Sequence, residues 1–174
     1  MRKLFLLLCL IAIASIGATG QIKYQKEIVL GVSLESAISK GEDSPGRAMF
    51  HHVSSARIND YFSFGLGVGV DIDTEYVFDR TEYLMPLYLN AKGYLPLSDS
   101  YLFLEFSGGH SFGISRGSKG MGSILLDSGA GMIIEAWPGA VMRISLNLQY
   151  LKWQEQVVSQ KSDGVILLKV GVLF

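Results

Sequence analysis

Cysteine, proline and long apolar segments are all scarce in this chain of 174 residues. Its one cysteine, Cys9, lies in an apolar run close to the N-terminus, so residues 21–174 contain no thiol, no disulfide and no cysteine metal site. Proline occurs at only four positions. After residue 20, no apolar run reaches the roughly 18 residues that indicate a membrane-spanning helix. If this chain crosses a membrane, it must do so as β-strands.

The N-terminus has the pattern of a secretory signal peptide. Arg2 and Lys3 precede an apolar run over residues 4–16, and Ala18-Thr19-Gly20 follows as a small-x-small cleavage site. We therefore predict a signal peptide over residues 1–20 and one mature domain over residues 21–174. The alternative is an N-terminal membrane anchor, but the apolar run is short for a span of roughly 20 residues.

The charge of the mature chain excludes one class of partner. Without Arg2 and Lys3, 13 basic residues face 16 acidic ones, a formal charge of −3. A chain with no excess of positive charge lacks the basic surface that nucleic acids require. We therefore expect no nucleic-acid partner.

Eight segments alternate between apolar and polar residues with a period of two, which predicts strands rather than helices. In residues 61–72, for example, Phe62, Phe64 and Leu66 share one face, and Ser63 and Gly65 share the other. The predicted strands cover residues 27–36, 48–58, 61–72, 83–95, 101–112, 122–136, 142–150 and 164–174.

The connections between these segments alternate in length. Short turns are predicted at residues 59–60, 96–100 and 138–139, and longer or more polar loops at residues 37–47, 73–82, 114–121 and 152–163. Short turns at one end and longer loops at the other are typical of bacterial outer-membrane barrels. The fold prediction is all-β: an eight-stranded antiparallel up-and-down transmembrane β-barrel.

A soluble lipocalin has the same strand number but the opposite orientation of its faces. The second face of these strands is rich in Gly, Ser, Asn and Tyr and carries few charges per strand, which favours a packed polar lumen over a solvated exterior.

Aromatic residues near the strand ends predict two belts at the membrane–water interfaces. One would contain Tyr61, Phe62, Tyr101, Trp137 and Phe174, and the other Tyr83, Phe112, Tyr150 and Trp153.

The predicted lumen holds nearly balanced charge, which a dry interior requires because unpaired buried charge is costly. Its cations would be Arg57, Lys92, Arg143 and Lys169, and its anions Glu35, Asp71, Glu105, Asp127 and Glu135. An eight-stranded barrel is just wide enough for its side chains to fill. Inward glycines such as Gly67 and Gly129 would make room for long side chains from facing strands. We therefore predict a plugged lumen and no useful pore.

Three stretches together resemble the small bacterial outer-membrane β-barrel proteins, and more loosely the OmpX and OmpA-type barrels. They are Arg57-Ile-Asn-Asp-Tyr-Phe-Ser-Phe-Gly-Leu-Gly-Val-Gly-Val-Asp71, Met85-Pro-Leu-Tyr-Leu-Asn-Ala-Lys92 and Lys169-Val-Gly-Val-Leu-Phe174. The resemblance implies export, residence in the bacterial outer membrane, contact with its lipids and recognition of the C-terminal strand, ending in Phe174, by the barrel-assembly machinery. It implies no particular activity.

One motif suggests an enzyme. His52 and Ser54 fall on the lipid face, where a histidine beside a serine could cleave an acyl ester. This resembles the lipid A deacylase barrels, but their motif reads His-x-Ser-Asn, and Ser55 stands here in place of Asn. The motif also lies on a different strand in that family, and no outward carboxylate is evident to orient His52.

Other candidate sites are weaker. His110 and Ser111 should point to opposite faces, Gly65-x-Gly-x-Gly69 has no following helix, and Asp71, Asp73 and Glu75 lack the glycine turn of a calcium loop. We therefore predict no catalytic, cofactor-binding or metal site.

The expected protein is a non-enzymatic monomer with a role in envelope structure or in surface interaction through external loops. The alternatives are a lipid-modifying barrel enzyme and a secreted lipocalin-like binding module.

Overall fold

The computed structural model describes residues 22–36, 46–75, 80–114, 122–137, 140–154 and 162–174. The predicted signal peptide, the 138–139 turn and most residues of the four longer loops lie outside these ranges. The side chains of Glu35, Trp137 and Trp153 are likewise not among those that the structure describes. The lumen position of Glu35 and the belt positions of the two tryptophans therefore stay predictions.

The described ranges form one closed, wholly antiparallel barrel in which every strand pairs with its neighbours in sequence and β1 pairs with β8. The strands are β1 Lys23–Ser36, β2 Gly46–Asn59, β3 Phe62–Glu75, β4 Arg80–Pro96, β5 Ser100–Gly113, β6 Gly122–Trp137, β7 Ala140–Gln154 and β8 Ser162–Leu173. The predicted fold class and strand number are therefore confirmed. No helix in the described ranges is long and apolar enough to cross a membrane.

The strands are longer than the alternation indicated. β1 begins four residues earlier than predicted, at Lys23, because its polar first residues still pair with the end of β2, where Lys23 faces Arg57. The β2–β3 turn is displaced by one residue to Asp60 and Tyr61, and the Asn59 side chain accepts a 2.8 Å hydrogen bond from the Tyr61 amide. Backbone pairing, rather than side-chain pattern, sets where these strands end.

The exterior of the barrel is apolar and its lumen is polar. Leu89 and Leu104, on outward positions, are 67% and 69% exposed, whereas Lys92 and Arg143, on inward positions, are each 1% exposed. Exposed apolar side chains around the whole barrel are stable only against lipid. The structure therefore confirms the transmembrane barrel and contradicts the lipocalin alternative, in which the apolar face would line the lumen.

Inward glycines leave space that long side chains fill. A Cβ atom at Gly67 would lie 2.1 Å from Cζ of Tyr88, and one at Gly129 would lie 2.3 Å from Cγ of Asn147. Neither position could hold a larger residue without moving the side chain of its register partner on the neighbouring strand, which lies over the glycine inside the lumen. The predicted role of these glycines is confirmed.

The two aromatic belts are confirmed in part. Tyr61, Phe62 and Phe174 are exposed at the rim that carries the short turns, hereafter the turn rim, and Tyr83 and Phe112 are exposed at the opposite, loop rim. Tyr101 was wrongly placed in a belt. It lies on the inward side of β5 and packs edge-on against Tyr94, with 6.3 Å between ring centroids.

Candidate functional site: the charged lumen and the lipid-facing histidine

Six charged side chains meet near the middle of the lumen, and we refer to them as the central network: Glu27, Lys92, Glu105, Asp127, Arg143 and Lys169. Three are cations and three are anions, so the buried charges balance. Lys92 forms a short ion pair with Glu27, and Lys169 donates to Oδ2 of Asp127 at 2.6 Å. Ion pairing with additional hydrogen bonds is what makes such buried charge tolerable.

Arg143 is the centre of this network. Its Nη1 lies 3.1 Å from Oε2 of Glu27 and 3.1 Å from Oε2 of Glu105, and Nη2 forms a short contact with Oε1 of Glu105. The guanidinium also packs on the Phe103 ring, 4.8 Å from its centroid. One side chain of β7 thus connects carboxylates of β1 and β5, because the planar guanidinium can present several donors at once.

Asn147 extends the network towards β6 and β8. Its Nδ2 donates to Oε1 of Glu105 at 2.7 Å and to Oδ1 of Asp127 at 2.6 Å. Asp127 in turn accepts the bond from Lys169, so a continuous chain of contacts runs from Lys92 to Lys169. Because these residues lie on six strands, the network crosses the lumen and ties opposite walls together.

A second polar group, the outer cluster, lies between the central network and the loop rim: Arg47, His51, Asp71, Asp73, Tyr88 and Gln149. Arg47 and Asp73 form a bidentate pair at 2.6 and 2.8 Å, and Nη1 of Arg47 donates to Gln149 at 2.8 Å. Nε2 of His51 lies 2.6 Å from Oδ1 of Asp71, and Nδ1 lies 2.9 Å from the Tyr88 hydroxyl. Two of the three carboxylates weighed as a calcium loop, Asp71 and Asp73, are therefore engaged with side chains. The side chain of the third, Glu75, lies outside the described residues.

The lumen closes with aromatic and apolar side chains at the turn rim. Tyr94, Phe103, Ile133 and Leu173 form a buried cluster there. Arg57 lies over the rings of Tyr94 and Tyr101, at 4.6 and 4.7 Å from their centroids. A cation over two aromatic rings is attracted by the electron-rich faces of both. Arg57, predicted as a lumen cation, is thus part of the floor of the lumen and only half-buried.

The sequence placed most of the charged residues of the lumen correctly. Asp71, Lys92, Glu105, Asp127, Arg143 and Lys169 are all buried in the lumen as predicted. Glu135 was wrongly included: it lies at the turn rim beside a register shift in the β6–β7 pairing, where it is exposed.

Four buried residues with titratable side chains were not predicted in the lumen: Glu27, Arg47, His51 and Asp73. Glu27 and Arg47 fell at or outside the predicted ends of β1 and β2, where side-chain alternation is weak. The period of two does place them inward once each strand is extended to its observed end. Asp73 lies one residue beyond the predicted end of β3 and is also inward once the strand is extended. His51 lies within the predicted β2, where the period of two already placed it opposite His52, so the signal for it was present without any extension.

The lipid-facing pair has the predicted orientation. Nε2 of His52 lies 3.0 Å from Oγ of Ser54, on the exterior of β2. The register places Lys26 and Leu66 beside Ser54 and Ile28 and Val68 beside His52, so these four flanking residues supply no carboxylate.

The remaining motifs carry no chemistry in the structure. His110 packs edge-on against Phe112 at 4.7 Å on the exterior, while Ser111 is buried, so the two point apart as predicted. Gly65, Gly67 and Gly69 lie within β3 and form no phosphate-binding loop. Among the described residues, no group of three His, Cys, Asp or Glu side chains could hold a metal ion.

Comparison with known proteins shows the fold. No protein-family profile matches the chain, and no curated protein sequence matches it. Among solved structures, Neisserial surface protein A is 16% identical, with a TM-score of 0.60, over 89% of this chain and all of the other. The outer-membrane enzyme PagL is 10% identical, with a TM-score of 0.51, over 85% of this chain and 98% of the other. The chain therefore has the fold of the small eight-stranded outer-membrane barrels, as its sequence resemblance implied.

Proposed function

We propose that this protein is a non-enzymatic, monomeric barrel of the bacterial outer membrane that acts in envelope structure or in surface interaction through its external loops. The observation that carries the proposal is the central network. Six balanced charges fill the middle of the lumen and leave the apolar exterior to contact lipid. A lumen filled in this way supports a plug rather than a channel.

The plug has a direct test. The protein is refolded into detergent micelles, and its mobility in SDS is compared with and without boiling. We expect the unboiled protein to migrate differently, because a closed barrel resists SDS. In planar bilayers the same preparation should show no steady conductance. Identical mobility would contradict the closed barrel, and stable channels would contradict the plug.

We further propose that the turn rim faces the periplasm and that the barrel-assembly machinery recognises the C-terminal strand. Phe174 supports this, because its exposed ring lies at the turn rim while its backbone exchanges two 3.0 Å hydrogen bonds with Lys26 of β1. Deleting Phe174 should lower the yield of assembled barrel without affecting export. Unchanged assembly would contradict this role of the C-terminus.

A second candidate function rests on the 3.0 Å contact between His52 and Ser54. In this mechanism Oγ of Ser54 attacks the carbonyl of a lipid acyl ester while Nε2 of His52 takes its proton, as in other serine nucleophiles activated by a base. The ester C–O bond then breaks, and the lipid alcohol leaves with the proton that His52 returns. Water hydrolyses the resulting acyl-serine and releases the fatty acid. The absence of a carboxylate among the four flanking residues makes it the weaker candidate.

The enzyme hypothesis predicts that His52→Ala leaves the barrel folded but abolishes release of acyl chains from lipopolysaccharide. His110→Ala is the matched control, because His110 also lies on the exterior and has no serine partner within the described hydrogen bonds. Equal release by the wild type and both variants, including no release by any of them, would remove the enzyme hypothesis.

A further inference from the structure

Three polar side chains lie side by side on the apolar exterior of the barrel: Lys26, His52 and Ser54. Lys26 of β1 is the register partner of Ser54 on β2, and Nε2 of His52 lies 3.0 Å from Oγ of Ser54. All three have the outward parity of their strands, and Lys26 and Ser54 are exposed. Cβ atoms of register partners lie about 5 Å apart and those of diagonal neighbours, such as Lys26 and His52, about 7–8 Å apart, so one ligand can reach the whole group.

Lys26 lies at the level of the aromatic belt of the turn rim. Its backbone exchanges two 3.0 Å hydrogen bonds with Phe174, whose exposed ring belongs to that belt. Along β1 towards the loop rim, the next outward residues, Ile28, Leu30 and Val32, are apolar and exposed. Interfacial aromatic residues mark the depth of the lipid head groups, and a lysine beside them extends its ammonium towards that layer. The polar group therefore meets the head group of a lipid and not only its acyl chains.

This part of the exterior carries positive charge. Among the described strand residues with outward parity, the charged ones are two lysines, Lys26 and Lys152, and no carboxylate shares that face. Glu27 follows Lys26 in sequence, but its carboxylate is buried in the lumen, where it pairs with Lys92 and Arg143. None of the ion pairs in the described part of the chain includes Lys26. A lysine ammonium of this kind attracts a phosphate as a point charge.

The three side chains can act together as hydrogen-bond donors. A lysine ammonium donates up to three hydrogen bonds and accepts none. With the ring proton of His52 on Nε2, the imidazole donates to Oγ of Ser54, and the Ser54 hydroxyl keeps its own proton for a ligand oxygen. This direction is the reverse of that in a serine nucleophile, whose hydroxyl donates to the imidazole. The group therefore suits a ligand with several acceptor oxygens and negative charge.

We propose that Lys26, Ser54 and His52 form a site for the phosphodiester of one glycerophospholipid in the leaflet at the turn rim, and that it prefers an anionic head group of the phosphatidylglycerol class. Lys26 and Ser54 would contact the phosphate oxygens, and His52 would orient the Ser54 hydroxyl. A zwitterionic head group brings its own ammonium near Lys26, where like charges repel. The site rests on the transmembrane placement in the proposed function and is independent of the plugged lumen.

The test uses the whole protein in nanodiscs of equimolar phosphatidylglycerol and phosphatidylethanolamine, released into mild detergent and analysed by native mass spectrometry. We expect the wild type to retain phosphatidylglycerol over phosphatidylethanolamine by about two- to fivefold, the ratio that one exposed ion pair supplies. Lys26→Gln should remove this preference, because it removes the charge and leaves the backbone bonds to Phe174 in place. The same preference in Lys26→Gln and the wild type would overturn the proposal.

Lys152→Gln is the matched control. Lys152 is also an outward lysine, but it lies at the loop rim, and its register partners are Ile124 and Ser162 rather than a histidine–serine pair. This variant should retain the preference of the wild type. Loss of the preference in Lys152→Gln alone would place the site at the other rim and overturn the proposal. A preserved mobility shift on boiling shows that each variant folds, so failure of the site is distinct from failure of the barrel.

Ser54→Ala tests the second donor. It should lower the retention of both lipids by about two- to tenfold, the effect of one lost hydrogen bond, and leave the preference that Lys26 supplies. Retention equal to that of the wild type would overturn the role given to Ser54. Formation of lysophospholipid and free fatty acid by the wild type, but not by Ser54→Ala, would show that Ser54 is a nucleophile and would also overturn that role.

The mass of the bound species distinguishes two sources of phosphate. We expect an adduct with the mass of an intact phospholipid, because the site lies on the lipid-facing surface. The same measurement is made after incubation with inorganic phosphate in detergent without lipid. A wild-type adduct of phosphate alone, which displaces the lipid and is absent from Lys26→Gln, would show that the site takes a free anion and would overturn the lipid assignment.

Discussion

The two polar groups of the lumen are built in different ways. In the central network, Glu27 pairs with Lys92 and Arg143, which lie 65 and 116 residues away along the chain and on strands that do not neighbour β1. In the outer cluster, Arg47 and Asp73 are direct partners in the β2–β3 register. The central network therefore requires a closed barrel, whereas the main pair of the outer cluster requires only one hairpin.

This difference in connectivity predicts different structural roles for the central network and the outer cluster. Contacts across the lumen hold opposite walls together and exclude an aqueous path through the middle of the barrel. In the outer cluster, the Arg47–Asp73 and His51–Asp71 pairs stabilise the register of the β2–β3 hairpin near the loop rim. Single hydrogen bonds to Gln149 and Tyr88 add links to β7 and β4. We expect the central network to dominate stability and the outer cluster to contribute less, and three substitutions can test that order.

Arg143→Met should have the largest effect. It leaves the carboxylates of Glu27 and Glu105 buried without their shared cation, which costs about 3–5 kcal/mol of unfolding free energy. Urea unfolding in micelles, followed by tryptophan fluorescence, measures this loss. Arg57→Met is the control, because Arg57 is only half-buried, and it should lose about 1 kcal/mol. Equal losses would contradict the central position given to Arg143.

Arg47→Met should have an intermediate effect. It removes both hydrogen bonds to Asp73 and the one to Gln149, and charge-assisted bonds of this kind contribute about 1.5–3 kcal/mol. The same unfolding measurement applies. A loss as large as that of Arg143→Met would show that the hairpin pair is as essential as the contacts across the lumen, and would remove the distinction between the two groups.

Tyr88→Phe should have the smallest effect. Tyr88 lies on β4, and its hydroxyl joins the His51–Asp71 pair of β2 and β3 through one 2.9 Å hydrogen bond, so its removal should cost about 1 kcal/mol. The ring remains to fill the space beside Gly67, which makes the variant a test of the hydroxyl alone. A loss above that of Arg47→Met would mean that the bridge to β4, rather than the hairpin pair, holds the outer cluster.

The sequence predicted the faces of the strands better than their ends. Alternation placed His52 and Ser54 outside and Lys92 and Arg143 inside, because each residue of a strand reverses the direction of the side chain. It missed Glu27, because polar residues on both faces hide the period at the start of β1. Tyr101 was misplaced because its position near a strand end suggested an interfacial aromatic. It is two residues from Phe103 and therefore shares the inward face of β5 with it.

Residue pattern alone therefore established an antiparallel transmembrane barrel of eight strands, with an apolar exterior and charged residues in its lumen. The side of a strand is a local property, and the period of two records it directly. Which charges pair was decided only by the tertiary structure. Closure of β1 against β8 and the register of each pair determine which side chains meet across the lumen, so Arg143 reaches Glu27 and Glu105 although nothing in their spacing along the chain connects them.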